Sequence, residues 1–238
     1  DFVIRRSDGT PAFFFCNAID DALMGVGLVM RGEDHLANTP RQILLLEALG
    51  LPVPEYAHIS LVVGVDGAPL SKRHGSRTVQ ELRAAGYFPE AIVNYLARLG
   101  HTYESNLFMD LASLAAHFDG ARLGRAPARF DEVQLQHWQH EALLHLAPAV
   151  VWAWMGEALH AIVPAAARDA FIDAVRANIT FPQDALRWAR IIFTDDWTPA
   201  QGCSAALAGA GGEFFRHAGA ALELHGTDFK AFSQHIRD

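Results

Sequence analysis

The sequence predicts an α/β fold at its start, followed by an all-α region. Before about residue 78, short apolar segments alternate with turns and helical patterns, and this spacing favours a layer of parallel strands covered by helices. From residue 78 onward the pattern is helical throughout. With 51% hydrophobic residues among 238, the chain can bury the core of one large or two smaller domains.

Bulk composition narrows the class of protein. No apolar run approaches the roughly 18 to 20 residues of a membrane span, and Cys16 and Cys203 provide neither a disulfide framework nor a zinc motif. A cytoplasmic location is therefore expected. The formal net charge of -8 argues against a generic nucleic-acid binder, so any RNA contact must come from local arginines and lysines.

The first elements are short and separated by turns. Residues 2–6 and 11–16 are predicted strands, joined by an Asx-turn at residues 7–9. Residues 17–24 are predicted to form a helix that ends at a glycine. Residues 26–30 follow as a third, apolar strand.

A clear helix and another strand come next. Asn38 is a predicted N-cap and Pro40 a first-turn proline, while Gly50 is a good C-terminal stop. Residues 58–63 are predicted to form a fourth strand, followed by a turn at residues 65–67.

The helical region has recognisable start signals. Thr78 is predicted to cap a helix to residue 85, Pro89 to start one to residue 99, and Asp110 and Asp131 to start two more. Pro127 interrupts the pattern. Further helices are predicted at residues 149–162, 165–178, 183–194, 204–224 and 228–238, of which the glycine-containing stretch 205–212 has the weakest helical signal.

Two polar segments each follow a predicted strand, where ligands bind in α/β sheets. One is the run from Arg31 to His35, and the other is the run from Leu70 to Gly75. The second contains a serine, a lysine and an arginine in succession. These residues suit a phosphate chain, because serine supplies a hydroxyl, lysine a point charge and arginine a planar fork of N–H donors. An ordinary solvated basic turn is the alternative.

Several motifs in order resemble one family. Leu70-Ser71-Lys72-Arg73-His74-Gly75 resembles the K-M-S-K-S signature of class I aminoacyl-tRNA synthetases, in the form typical of glutamyl-tRNA synthetases. The match is dense over about residues 1–135, where it also includes the segments 20–25, 29–35, 38–44, 86–91, 94–100 and 126–131. The chain is therefore identified as resembling an internal or C-terminal fragment of that family.

The resemblance implies three parts. Residues 1–77 would be the C-terminal half of the Rossmann-like, nucleotide-binding catalytic domain, with the signature loop at 69–75. Residues 78–130 would be a helical stem-contact region, and residues 131–238 a helical anticodon-binding region that is expected to be truncated. No H-I-G-H segment occurs in the sequence. Since the family uses that segment to bind ATP, the fragment alone is expected to be inactive.

The function implied is that of a glutamate–tRNA ligase, which activates glutamate with ATP and transfers it to tRNA. ATP would enter as a substrate with Mg²⁺, and no protein-bound metal is expected. The glutamate tRNA would be the acceptor, and the resemblance leaves open whether the glutamine tRNA is charged too. A non-catalytic, synthetase-derived module that binds tRNA or protein is the alternative function. A glutaminyl-tRNA synthetase fits less well, because its tail is rich in strands.

The resemblance also assigns an amino-acid pocket. Arg31 matches a family arginine that pairs with the substrate carboxylate, and Asn17 and His35 match positions that line the glutamate pocket. Phe13 stands where the family commonly has a tyrosine, so a hydroxyl contact to glutamate is missing.

A second set of residues matches the ATP site. Lys72 matches the signature lysine that neutralises the phosphates as they separate, and Ser71 and Arg73 flank it as further catalytic candidates. Leu70 and His58 are the remaining predicted ATP-binding residues.

Three arginines, Arg122, Arg125 and Arg129, form a basic stretch that could contact tRNA phosphates. Solvated loop charges are an equally good interpretation. Three histidines and one glutamate share one predicted helix: His137, His140, Glu141 and His145. Successive histidines are spaced i, i+3 and i, i+5, whereas a helical zinc site uses histidines at i, i+4.

Overall fold

The computed structural model describes residues 2–64, 66–68, 70, 78–195, 203–226 and 228–237. The chain divides into two compact units, residues 1–187 and residues 188–238. Strands occur only in the first unit among the described residues, and helices follow them to the end. The predicted order of an α/β part followed by a helical part is confirmed.

A β-α-β crossover forms the α/β part. Strand β1 (Leu28–Gly32) pairs in parallel with β2 (Glu55–Ile59). A 3-10 helix (Glu33–Asn38) and helix α2 (Thr39–Ala48) connect the two strands. The parallel layer is therefore confirmed. The predicted cap is wrong, because Asn38 already has helical angles as the last residue of the 3-10 helix and its side chain makes no capping bond.

Helix α1 (Phe13–Leu23) replaces a predicted strand. The strand expected at residues 11–16 is wrong, because the chain is helical from Phe13. Three aromatic residues in succession favour a strand locally. The helix prevails because it places Ala18 and Ala22, one turn apart, against Leu46 of α2 in a small buried cluster.

The N-terminal segment is a turn rather than a strand pair. The strand predicted at residues 2–6 reduces to a single antiparallel bridge between Arg5 and Pro11. The predicted Asx-turn is confirmed, since the Asp8 carboxylate accepts hydrogen bonds from the backbone N–H and the hydroxyl of Thr10 at 2.9 and 2.6 Å. These bonds lower the pKa of Asp8.

The strand predicted at residues 58–63 is divided in two. Strand β2 ends at Ile59, and a separate short strand, β3 (Val62–Val63), pairs in parallel with β4 (Ala128–Arg129). Strand β4 was not predicted, because a two-residue strand is defined by its partner and not by a local pattern. The chain thus leaves the α/β part after β3 and returns to it through β4.

The helices with clear start signals are confirmed. Thr78 forms a capping box with Glu81. Asp110 accepts a hydrogen bond from the N–H of Ser113, and Asp131 accepts one from the N–H of Val133. The helices that follow these caps, and the one that Pro89 starts, are α3 (Val79–Ala85), α4 (Pro89–Arg98), α5 (Leu111–Ala116) and α6 (Glu132–His145).

The remaining helices of the first unit include one that breaks. The helix predicted at residues 149–162 is two helices, α7 (Pro148–Met155) and α8 (Glu157–His160), because Gly156 has a φ of 86°. The others are α9 (Arg168–Val175) and α10 (Pro182–Phe193), the second of which reaches past residue 187.

The second unit contains a helical pair. Helix α11 (Cys203–His225) is interrupted at Gly211, where φ is 65°, and helix α12 (Phe229–Arg237) packs against it. His225 Nε2 lies 3.2 Å from His235 Nδ1 between the two helices. No helix among the described residues combines the length and apolarity needed to cross a bilayer.

A buried side-chain amide connects three segments in the helical part of the first unit. Gln139 is fully buried, and its side chain donates to the carbonyls of Gly86 and Thr180, both at 3.1 Å, and accepts from the N–H of Phe88 at 2.9 Å. The indole of Trp154 donates to the same Gly86 carbonyl at 2.7 Å and stacks on Phe88. Trp154 is therefore a packing residue.

Candidate active site

A cleft of about 330 Å³ lies where β1 ends and α1 begins. Helix α1 contributes Phe13 and Asn17, β1 contributes Arg31, and the 3-10 helix contributes His35. The four side chains predicted for an amino-acid pocket therefore line one cleft. Asp21 of α1 also lines it, which the sequence analysis did not anticipate.

Arg31 has hydrogen-bonding capacity to spare. Its Nη2 donates to the hydroxyl of Thr39 at 2.7 Å, and its guanidinium carbon lies 5.1 Å from the centre of the Tyr56 ring. Its Nε is buried without a partner, and the guanidinium forms no ion pair with any described residue. A half-buried guanidinium in that state is suited to an anionic ligand, above all to the two oxygens of a carboxylate.

Asn17 is oriented by a buried neighbour. The side-chain amide of Gln42, 1% exposed, donates to the Asn17 carbonyl oxygen at 3.2 Å and to the Phe14 backbone oxygen at 2.9 Å. Because Asn17 uses its oxygen in this bond, its own NH₂ group remains available as a donor toward the cleft. An oxygen atom of a ligand is the partner that such a donor requires.

Two rings border the cleft. The rings of Phe13 and His35 have their centres 6.0 Å apart at a tilt of 42°, and Phe13 is 60% exposed. His35 Nδ1 lies 3.3 Å from the side-chain nitrogen of Asn38, and His35 Nε2 lies 3.7 Å from the carboxylate of Asp34. Phe13 contributes an apolar surface where a tyrosine would add a hydroxyl.

His58 lies beside Arg31 in the parallel pair of strands. It is the fourth residue of β2, not the first residue of a strand, and its register partner in β1 is Arg31. Its Nε2 is 3.0 Å from the hydroxyl of Thr39. Its predicted contact with ATP stays a prediction.

Tyr56 was missed by the sequence analysis. Burial raises the pKa of its phenol, while the nearby Arg31 charge opposes that shift. Its hydroxyl is buried without a partner among the described residues. Because side chains two apart on a strand share a face, the pair formed by Tyr56 and His58 was the signal that could have identified it.

Most of the predicted catalytic loop lies outside the described residues. Ser71, Lys72 and Arg73 lie outside the described residues, so their roles stay predictions. Leu70 is half-buried, and its N–H lies 3.5 Å from the Val62 carbonyl of β3.

The three arginines predicted to contact tRNA have different surroundings. Arg122 pairs with Glu104 at 2.6 Å and with Asp119 at 3.4 Å, and these carboxylates raise the pKa of its guanidinium. Arg125 is exposed and has no partner in the described part of the chain. Arg129 lies on β4, is exposed, and borders a cleft separate from that of Arg31.

No group of three or more His, Cys, Asp or Glu side chains in the described ranges could hold a metal ion. In the helix with four potential ligands, His145 instead places its Nδ1 2.8 Å from the Glu141 carbonyl and stacks on Phe108. This helix is thus used for packing and local hydrogen bonds at that position.

Comparison with known proteins gives a consistent result. The family described as tRNA synthetases class I (E and Q), catalytic domain, matches residues 1–137. Glutamate–tRNA ligase 2 of Nitrosococcus oceani is 58% identical over 237 residues, and glutamate–tRNA ligase 1 of Methylococcus capsulatus is 56% identical over 232 residues. These alignments cover 100% and 98% of this chain, and 50% of each relative. The chain thus spans about half the length of the curated relatives it matches.

Solved structures share the fold. A glutamate tRNA ligase from Elizabethkingia meningosepticum, in complex with its amino acid, has a TM-score of 0.76 at 24% identity, over 98% of this chain and 51% of the other. The glutamate-tRNA synthetase from Elizabethkingia anophelis has a TM-score of 0.77 at 24% identity, over 100% and 52%. At that identity the likeness concerns the fold alone.

Proposed function

The chain belongs to the class I tRNA synthetases of the E and Q group, and from this premise we propose that it is part of a glutamate–tRNA ligase. In the proposed reaction the carboxylate of glutamate attacks the α-phosphorus of ATP, which forms glutamyl-adenylate and releases pyrophosphate. A terminal hydroxyl of the tRNA then attacks the activated carbonyl, which forms the aminoacyl ester and releases AMP.

The observation that carries the proposal is the cleft around Arg31. Its guanidinium is half-buried, has unused donors and forms no ion pair with a described residue. Asn17 adds an amide donor on the other wall. A guanidinium fork and an amide N–H together favour a substrate that presents a carboxylate, because both groups donate hydrogen bonds.

The ATP side of the site rests on the family. We assign Lys72 to the phosphates, with Ser71 and Arg73 beside it and Leu70 and His58 toward the nucleotide. Mg²⁺ would enter bound to the phosphates of ATP. A positive charge placed where negative charge develops is the kind of electrostatic stabilisation that this step requires.

The remaining proposals concern tRNA and location. We assign residues 78–130 to contact with the tRNA stem and residues 131–238 to the anticodon region. The glutamate tRNA is the proposed acceptor, and the glutamine tRNA is a second acceptor to be tested. The family acts in translation, so we place the protein in the cytoplasm.

The test is glutamate-dependent exchange of pyrophosphate into ATP, measured with tRNA on the full-length protein. Exchange with glutamate, and none with glutamine or aspartate, is the expected result. Charging of each purified tRNA then identifies the acceptor. Retained tRNA binding without any exchange would contradict the proposal and favour a non-catalytic binding module.

A further inference from the structure

The hydroxyl of Thr39 connects three parts of the candidate active site. Thr39 is the first residue of α2 and is 8% exposed. Its Oγ1 accepts a hydrogen bond from Arg31 Nη2 at 2.7 Å, and lies 3.0 Å from His58 Nε2 and 3.4 Å from the His35 carbonyl oxygen. One hydroxyl thus joins the end of β1, the middle of β2 and the 3-10 helix.

The number of protons and lone pairs on the Thr39 hydroxyl determines the direction of these hydrogen bonds. A threonine hydroxyl has one proton and two lone pairs. Arg31 can only donate, so one lone pair is committed to it. The proton then goes to His58 Nε2 when that nitrogen is unprotonated, or to the His35 carbonyl when Nε2 carries its own proton. In both states Thr39 continues to accept from Arg31.

No other directional contact orients the Arg31 guanidinium among the described residues. The ring of Tyr56 supports its face at 5.1 Å, but a stacked ring leaves the guanidinium free to rotate in its plane. Its Nε has no partner. The bond to Thr39 therefore determines which edge of the fork faces the cleft.

We propose that Thr39 is a positioning residue for amino-acid binding, whose hydroxyl holds the fork of Arg31 in the orientation that receives the substrate carboxylate. This inference rests on the proposed function, because it assumes that a carboxylate binds there. It assigns to α2 a role that its sequence does not suggest, since a threonine before a first-turn proline otherwise indicates only the start of a helix.

The test compares two variants of the full-length protein with the wild type in glutamate-dependent exchange. Thr39→Val keeps the branched shape and removes the hydroxyl, while Thr39→Ser keeps the hydroxyl. For Thr39→Val we expect the KM for glutamate to rise about 10-fold, the order expected when a hydrogen bond to a charged group is lost. The KM for ATP should change less than the KM for glutamate, and Thr39→Ser should restore the glutamate KM to within about twofold of the wild type.

Two further proteins make the result decisive. Thr102→Val is the matched control, since Thr102 is exposed and outside the cleft, and its glutamate KM should equal that of the wild type. If Thr39→Val does not fold, Thr39→Ala removes the same hydroxyl with a smaller side chain.

The failures can be told apart. A wild-type protein without exchange overturns the proposed function and, with it, this inference. A wild-type protein with exchange, together with an unchanged glutamate KM in the hydroxyl-free variant, overturns only the role of Thr39. The same holds if Thr39→Ser is as impaired as Thr39→Val, because shape rather than the hydroxyl would then be responsible.

Discussion

At the scale of single residues, Arg31 is distinguished by its geometry as well as its charge. Arg31→Lys keeps the charge but removes the planar fork that can bind both oxygens of a carboxylate. We expect the KM for glutamate to rise about 10- to 100-fold, the cost of losing one or two charge-assisted hydrogen bonds. Pyrophosphate exchange on the full-length protein measures this.

Arg41 provides the control for that substitution. It is an exposed residue of α2, and Arg41→Lys should leave the KM unchanged. Equal glutamate KM values for Arg31→Lys and the wild type would remove Arg31 from the carboxylate site.

Arg122 and Arg125 should contribute unequally to tRNA binding. Arg122 is already engaged by Glu104 and Asp119, whereas Arg125 has no described partner. We expect Arg125→Ala to weaken tRNA binding and to reduce the slope of log K against log salt by about 1. Arg122→Ala, the matched comparison, should change that slope less. A larger effect at Arg122 would show that tRNA displaces its carboxylate partners.

At the scale of elements, the glycine that ends α3 is constrained both by its backbone conformation and by its neighbours. Gly86 has a φ of 96°, and a Cβ there would lie 2.8 Å from Pro182 Cδ. Gly86→Ala should lower the free energy of unfolding by about 3 kcal/mol or more, because backbone strain of about 1 to 3 kcal/mol adds to the clash. Urea unfolding of the full-length protein measures it.

The substitution Gly50→Ala, at the glycine that follows α2, separates the cost of backbone strain from the cost of the clash. Gly50 has a φ of 65°, and a Cβ there would meet no atom within 4 Å. Gly50→Ala should therefore cost only the backbone term of about 1 to 2 kcal/mol. Equal losses at the two glycines would show that the space around Gly86 adapts.

The sequence predicted best where an element depends on its own residues. The starts of α3, α5 and α6 were correct, because Thr78, Asp110 and Asp131 cap a helix through bonds within one turn. The start of α1 was wrong, because its aromatic run favours a strand and only packing against α2 decides for a helix. The break at Gly156 was missed, because a glycine inside an apolar helical pattern gives no reliable sign of its φ.

The candidate site divides in the same way. The resemblance to a family supplied Phe13, Asn17, Arg31 and His35, and the structure gathers them around one cleft. The residues that orient these side chains were not predicted. Thr39 bonds to Arg31 and Gln42 bonds to Asn17 across different elements, whose relative placement the sequence does not show. These two residues and Tyr56 could be identified only from the structure.

At the scale of the whole molecule, the 238-residue chain should not activate glutamate alone. The family places an H-I-G-H segment in the ATP site, and this sequence does not contain one. We expect glutamate-dependent pyrophosphate exchange from the full-length protein and none from this chain at equal concentration. A circular dichroism spectrum with the helical signal of the structure is the control for folding. Exchange by the isolated chain would mean that these 238 residues contain enough of the ATP site to activate glutamate.

The pairing of β3 with β4 has a consequence for the order of folding. Val62 and Ala128 are register partners, yet the chain between them includes three helices, α3, α4 and α5, whose backbone hydrogen bonds are local. Closing a long loop costs entropy before its contacts repay it, so such pairings form late. We therefore expect the helices to acquire hydrogen-exchange protection before the amides of β3 and β4 during refolding. The N–H of Leu70 lies 3.5 Å from the Val62 carbonyl of β3, so this edge of the α/β part would be complete only when the returning strand has docked.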